Sequence, residues 1–258
     1  MDDNIAGRGD PLKSLKLLWE GTPTPKRGPR PKVDLATLVA AAVEIADAEG
    51  LEAVSTRRVA EKAGISPMSF YTYIPGKAEL LDLMLDNVSG SGIEPIPDFD
   101  PTEWRDNLTV LARGLRQFYL AHPWVLDMAT HRPGLGPGTM AAYEFALRAV
   151  DGLGLSEIEM DMIITTIGAY VHGAARPQAQ ARKVQQATGL SDDEWWHTIA
   201  PYLETIDFTP YPVSSRVGPV VGELYGLGDP DMAFTFGLDR LLDGFAVLIE
   251  RPRREAVG

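Results

Sequence analysis

Apolar residues recur at helical rather than strand spacing along nearly the whole chain, and the periodic stretches are separated by Pro, Gly and Ser/Asp caps. The first strong stripe is Leu38, Ala42, Ile45 and Ala46, broadened by Val39 and Val43. It lies away from Glu44, Asp47 and Glu49 and predicts a helix over 34–49. Asp34 is placed to cap this helix, Val33 and Leu38 to staple its entry, and Gly50 to end it. A second helix starts at Ser55 or Thr56 and stops at Gly64, with Val59, Ala60 and Ala63 inward. Ser66 and Pro67 form an N-cap and first-turn pair that opens a third short helix through about Tyr73, before Pro75 and Gly76 break it. A fourth, over 77–88, carries Leu80, Leu81, Met84, Leu85 and Val88 and ends before SGSGIEPIPDFDP, a Gly/Pro-rich run that reads as a domain boundary.

Beyond that run the period stays helical. Helices are expected over 100–121, from Pro123 for a short stretch, over 136–150 and over 156–176. Ser191 and Glu194 form a capping box for a further helix holding Trp195 and Trp196. The last, over 230–250, has Phe234, Leu238, Leu241, Leu242, Phe245 and Leu248 on one stripe. Pro177 should end or kink the helix it interrupts. No two segments read as paired strands, so the expected fold class is all-α. A head of three helices plus a connector occupies 34–90 and a larger helical bundle occupies 91–258. Residues 1–33 read as an extension, a tail rather than a core element. Its prolines in GTPTPKRGPRPK forbid regular structure, while Leu12, Leu15, Leu17, Leu18 and Trp19 are apolar enough to dock on the body.

Composition removes several function classes. The 258 residues are 45% apolar and 23% charged, an ordinary globular balance. No apolar run reaches the roughly 18 to 20 residues of a membrane span, and MDDNIAG lacks the order of a signal peptide, so the expected location is the cytoplasm, with no membrane partner. The absence of cysteine excludes disulfides, Cys-ligated zinc and thiol chemistry. His122, His131, His172 and His197 are scattered without metal spacing, and there is no nucleophile motif or Gly-rich phosphate loop. No cofactor, metal or catalytic residue is therefore expected. The net charge of −12 argues against nucleic acid until its distribution is considered. Residues 13–77 hold ten Lys and Arg against seven Asp and Glu, a net of +3, leaving −15 for the rest. An acidic body with one basic end is what a protein needs if only that end meets DNA.

Two short helices joined across a glycine, the second with polar and aromatic groups outward, are a helix-turn-helix pattern. Phe70 and Ile74 point inward, which leaves Pro67, Met68, Ser69, Tyr71, Thr72 and Tyr73 toward a major groove, with Ser66 at the cap. Met68 can pack on a thymine methyl, Ser69 can bond a base edge, and the Tyr71 and Tyr73 hydroxyls can reach phosphates. At the start of the second helix Thr56 suits a phosphate, and Arg57 is long enough for a guanine edge. The stretch VDLATLVAAAVEIADAEGLEAVSTRRVAEKAGISPMSFYTYIPGKAELLDLM, with its STRRVAEKAGIS core and FYTYIPGK ending, resembles the DNA-binding domain of the TetR family of bacterial regulators. The resemblance implies base contacts from Arg57, Pro67, Met68 and Ser69 and backbone contacts from Thr56, Tyr71, Tyr73 and Lys77. This chain has Tyr73 where the family often has His or another aromatic, and Thr72 at a variable position, so the operator does not transfer. Lys26, Arg27, Arg30 and Lys32 look like the basic arm that some members place in an adjacent minor groove; a solvated tail is the alternative.

The remaining two-thirds resembles the tetracycline-repressor type of body in its helical organisation. That implies a homodimer and a small-molecule pocket between helices. The helices over 156–176 and 230–250 are the candidates for the dimer interface, with intramolecular core as the alternative. Trp104, Phe118, Trp124, Met128, Tyr143, Met162, Thr166 and Tyr170 come from the helices that line the pocket in similar proteins and would suit an apolar or aromatic effector; plain core is again the alternative. The expected function is a ligand-responsive regulator, a repressor that the effector releases from its operator. The effector would favour a body conformation in which two recognition helices are no longer about one DNA turn, roughly 34 to 36 Å, apart. The rival readings are an all-α enzyme, a helical interaction protein that buries Met68, Tyr71 and Tyr73, and an activator.

Overall fold

The computed structural model describes residues 7–22, 33–93, 98–128, 134–226 and 228–251, and among these residues every regular element is helical. In order they are α1 (Pro11–Glu20), α2 (Leu35–Glu49), α3 (Thr56–Lys62), α4 (Pro67–Phe70), α5 (Lys77–Gly90), α6 (Trp104–Ala121), α7 (Pro137–Arg148), α8 (Glu157–Thr188), α9 (Asp192–Leu203), α10 (Pro212–Tyr225) and α11 (Pro230–Ile249). Contacts group into two compact units that divide between Thr165 and Thr166, inside α8. No described helix is long and apolar enough to cross a membrane.

In the first unit, local chemistry starts each head helix. The Asp34 carboxylate accepts from the Thr37 amide at 2.8 Å, Ser55 caps α3, and Ser66 caps α4 with Pro67 in its first turn. Gly50 ends α2 at φ +87, a conformation that favours glycine. The faces so positioned close a core in which Leu38, Ala42, Val59, Ala60, Phe70, Ile74, Leu80, Leu81 and Met84 are fully buried. α4 is shorter than its pattern suggests and stops at Phe70 rather than Tyr73. The amides of Thr72 and Tyr73 bond three residues back, to Ser69 and Phe70, and the Thr72 hydroxyl donates to the Ser69 carbonyl at 2.7 Å. Residue 74 precedes a proline and is biased away from the helical region, so the turn cannot extend.

The connector α5 buries a row of carboxylates, Glu79, Asp82 and Asp86. Each meets a neutral donor from a distant segment. Asp86 accepts from the Gly138 and Thr139 amides, at 3.0 and 2.8 Å, and so caps the first turn of α7. α5 and α7 cross at glycines: a Cβ on Gly138 would overlap the Asp86 carbonyl. Asp82 accepts from the Ser14 hydroxyl at 2.6 Å and the Gly7 amide at 2.7 Å, and Glu79 from the Asp10 amide at 3.2 Å.

The first of these segments corrects the reading of the N-terminal extension as a tail. α1 is a helix capped by Asp10, with Ser14 buried against α5, Leu17 and Leu18 packed on the head core, and the Trp19 indole donating to the Leu135 carbonyl at 3.0 Å. A ten-residue amphipathic stretch reveals its partner only when the carboxylates of α5 are folded beside it. The basic arm residues Lys26, Arg27, Arg30 and Lys32 lie outside the described residues.

α6 is followed by a 3-10 turn, Pro123–Asp127, that folds back onto the head. Trp124, Val125 and Met128 join the head core, and the Trp124 indole donates to Asp47 of α2 at 2.7 Å. In the second unit α8 runs through Pro177 to Thr188 instead of ending near residue 176. The proline forgoes one amide bond, but Ile167, Val171, Ala175 and Ala179 keep burying one face on both sides of it. α11 buries Phe234, Leu238 and Leu242, and the Tyr170 hydroxyl of α8 donates to the Phe234 carbonyl at 2.7 Å with its ring stacked on Phe234. α10 has no counterpart in the sequence reading, because Gly218, Pro219 and Gly222 interrupt its apolar period.

Candidate nucleic-acid interface

Phe70 and Ile74, both fully buried, anchor the α4 region from beneath and so decide which of its side chains face outward. Met68 is 78% exposed and Tyr71 51%, so both side chains lie on the outward surface of this region. Pro67, Thr72 and Ser66 are exposed with them, while Ser69, Tyr73, Lys77 and Thr56 are half-buried. Ser66 and Ser69 share a hydrogen bond between hydroxyls at 2.8 Å, on top of the cap. The Tyr71 hydroxyl lies 3.2 Å from the Thr56 hydroxyl, so the two candidate backbone-contact groups, 15 residues apart, converge on one spot.

The cations of α3 divide into two sets. Arg58 bonds Glu49 through Nη1 at 2.9 Å, and Lys62 reaches Glu44 at 2.9 Å; both tie α3 to α2 rather than facing outward. The hydrogen bond from Arg58 holds the Glu49 carboxyl below its ordinary value, with burial opposing it. Sequence reasoning placed Glu44 and Glu49 outside the apolar stripe of α2 and missed these pairs, whose only signal was the excess of acids on α2 opposite a basic helix. Arg57 is exposed and bonded to Glu61 one turn on, at 2.8 Å. An exposed pair of that kind is worth little, so the guanidinium is free to exchange Glu61 for a stronger acceptor such as a base edge or phosphate.

The candidate effector residues are distributed over α6, the 3-10 turn that follows it, α7 and α8. Trp124, 1% exposed, and Met128 belong to the head core, with Phe118 packed partly against it. Trp104 is buried at the start of α6. Tyr143 is exposed, and its hydroxyl donates to Asp161 of α8 at 3.0 Å, an acceptor that pushes the phenol up. Met162 and Thr166 are exposed, and Tyr170 is held by α11. Among the described residues no group of three His, Asp or Glu side chains is arranged to hold a metal ion.

An exposed polar and aromatic helix on a buried apolar anchor, joined by a short turn to a basic helix, matches a known family directly. The model for bacterial regulatory proteins of the tetR family matches residues 38–84, and that for the tetracyclin repressor-like C-terminal domain matches residues 96–249. The chain belongs to the TetR family. It is accordingly a ligand-responsive, DNA-binding transcriptional regulator. It is 42% identical over 253 residues, 97% of this chain and 91% of the relative, to the HTH-type transcriptional repressor DrrR1 of Streptomyces coeruleorubidus. It is 29% identical over 217 residues, 84% of this chain and 86% of the relative, to an HTH-type transcriptional regulator of Saccharopolyspora erythraea. The crystal structure of the Streptomyces coelicolor TetR family protein ActR in complex with actinorhodin superposes with a TM-score of 0.68 at 26% identity, covering 84% of this chain and 96% of that one. The family match thus extends over the acidic body as well as the head.

Proposed function

We propose that this TetR-family chain acts in the cytoplasm as a homodimeric repressor without catalytic activity, released from its operator by a small apolar or aromatic effector. The carrying observation is the outward set on the α4 region, Met68 and Tyr71 exposed above a fully buried Phe70. In this reading Arg57, Ser66, Pro67, Met68, Ser69 and Thr72 approach base edges, and Thr56, Tyr71, Tyr73 and Lys77 hold the backbone on either side. Lys26, Arg27, Arg30 and Lys32 add a basic arm. Dimerisation through α8 and α11 sets the two recognition helices about one DNA turn apart.

The effector binds among the helices that carry Trp104, Phe118, Tyr143, Met162, Thr166 and Tyr170, with Trp124 and Met128 acting from behind, through the head core. The actinorhodin complex of ActR, at 26% identity, supports a ring-containing ligand. Release needs a link between body and head, and α5 supplies it: its apolar face is part of the head core, while Asp86 grips the first turn of α7. Movement of α7 on ligand binding therefore drags the connector. A coupling of about 1–3 kcal/mol would be enough to switch occupancy.

The test is binding of the purified protein to DNA flanking its own gene, titrated with salt, for wild type, Tyr71→Ala and Lys77→Ala. Roughly nanomolar, sequence-selective binding is expected, with each substitution weakening it about tenfold and flattening the salt dependence for Lys77→Ala. Binding no tighter than to random DNA, with both variants behaving as wild type, would remove α4 as the reading element.

A further inference from the structure

We propose that the α9–α10 hairpin holds a ligand site of its own, for an aromatic ring system that carries a protonated amine. A cavity of about 570 Å³ opens between the two helices, within the size range of sites for small molecules. Its apolar wall is Trp196, Leu203, Ile206, Phe208 and Pro219. None of the residues assigned above to the effector lines it, so the site goes beyond the proposed effector pocket.

The wall is built rather than incidental. Gly222 is the one buried residue of α10 and lies flat against the Trp196 ring, where any Cβ would overlap the indole. Gly226, at φ +61, lies along the other end of the same side chain. Two glycines thus seat the indole against α10, at the cost in helix propensity that Gly222 carries. A tryptophan so held offers the best of the side-chain faces for a cation, and Phe208 adds a second ring.

The polar groups select the charge. The Ser215 hydroxyl is committed to the carbonyls of Phe208 and Tyr211, at 3.0 and 2.8 Å. Glu204 stands at the rim, and among the described residues nothing hydrogen-bonds or ion-pairs with its carboxylate. Residues 191–225 carry six acids, Asp192, Asp193, Glu194, Glu204, Asp207 and Glu223, against one cation, Arg216. That field repels an anionic aromatic and concentrates a cationic one. Rings stacked on Trp196 would bring an amine to Glu204.

The probe is proflavine, a planar aromatic cation, titrated into the full-length protein without DNA, with anthraquinone-2-sulfonate as a planar anion of similar size. Proflavine is expected to saturate at one per chain, and the sulfonate not to bind. Glu204→Gln should weaken proflavine about tenfold, the loss of a charge-assisted contact. Gly218 lines the cavity and a Cβ there meets nothing within 4 Å, so Gly218→Leu projects its side chain into the cavity and should abolish binding without lowering thermal stability, since it also removes a glycine from the helix interior. Tyr143→Ala and Met162→Ala, at the effector region, should leave proflavine binding as it is. Absence of saturable binding, or binding that survives both Glu204→Gln and Gly218→Leu, overturns the proposal. Operator binding measured on the same preparations keeps the two readings apart: its failure counts against α4, whatever proflavine does.

Discussion

The head and the α9–α10 hairpin are both rich in apolar side chains, and they use them in opposite ways. In the head, α2, α3, α4 and α5 turn their apolar faces on one another, and nine of the residues named above are wholly removed from water. In residues 191–225 Gly222 alone is buried, while Tyr202, Tyr211, Val213, Val217, Val220 and Leu224 stand exposed. The four aliphatic positions are spaced four, three and four residues apart, one side of α10. The head's apolar area therefore stabilises the chain itself, whereas the hairpin's apolar area contributes little to it and remains accessible to a ligand or a partner.

That contrast can be broken most directly at Phe70. Phe70→Ala should cost about 3–5 kcal/mol in urea unfolding and abolish operator binding with it, since the cavity lies under the recognition surface. A loss below about 1 kcal/mol would mean that the head is not the rigid half. Asp86→Ala leaves the Gly138 and Thr139 amides at the buried α5–α7 contact without their acceptor, and a loss of about 2–3 kcal/mol is expected by the same measurement. Ser14→Ala removes the hydroxyl donor to Asp82 and should cost about 1–2 kcal/mol; a neutral result would return α1 to the status of a tail. On the hairpin, Val220 is 65% exposed, so Val220→Ala should change the stability of the single chain by less than about 0.5 kcal/mol. A larger loss that deepens on dilution would place a second copy over α10.

Acid sharpens the comparison with the smallest effect. Hydrogen bonding to Thr37 holds Asp34 below its ordinary 3.8, and the Ser191 amide holds Glu194 below its ordinary 4.5. A carboxylate with a depressed folded-state value stabilises above the unfolded value, and that contribution disappears as pH falls through the folded one. The hairpin's cap at Glu194 therefore begins to weaken at a higher pH than the head's cap at Asp34. Amide exchange followed from pH 5 to about pH 3 should show α9 opening before α2.

Much of the fold was legible because its determinants are local. Asp34, Ser55, Ser66 with Pro67, and Ser191 with Glu194 each act on an amide within three residues, so a short window of sequence contains both partners. The burial of Phe70 and Ile74, and with it the exposure of Met68, Tyr71 and Thr72 between and beside them, follows from their spacing of four residues. The hairpin was less legible. α9 announced itself by its capping box, but α10 breaks its own period with Gly218, Pro219 and Gly222, the first two of which line the cavity while the third lies against the Trp196 ring.

Sequence by itself determined most of the helices, their caps and the exposed face of α4, because those depend on neighbours a few residues away. Only the tertiary structure decided that α1 is part of the core, through a bond from Ser14 to a carboxylate 68 positions later. It also decided that Trp124 serves the head, through Asp47 at a separation of 77, and that Asp86 grips α7 at separations of 52 and 53. Each of these pairs is a buried carboxylate or indole whose need for a partner is set by burial, and burial is a property of the assembled helices rather than of any one of them.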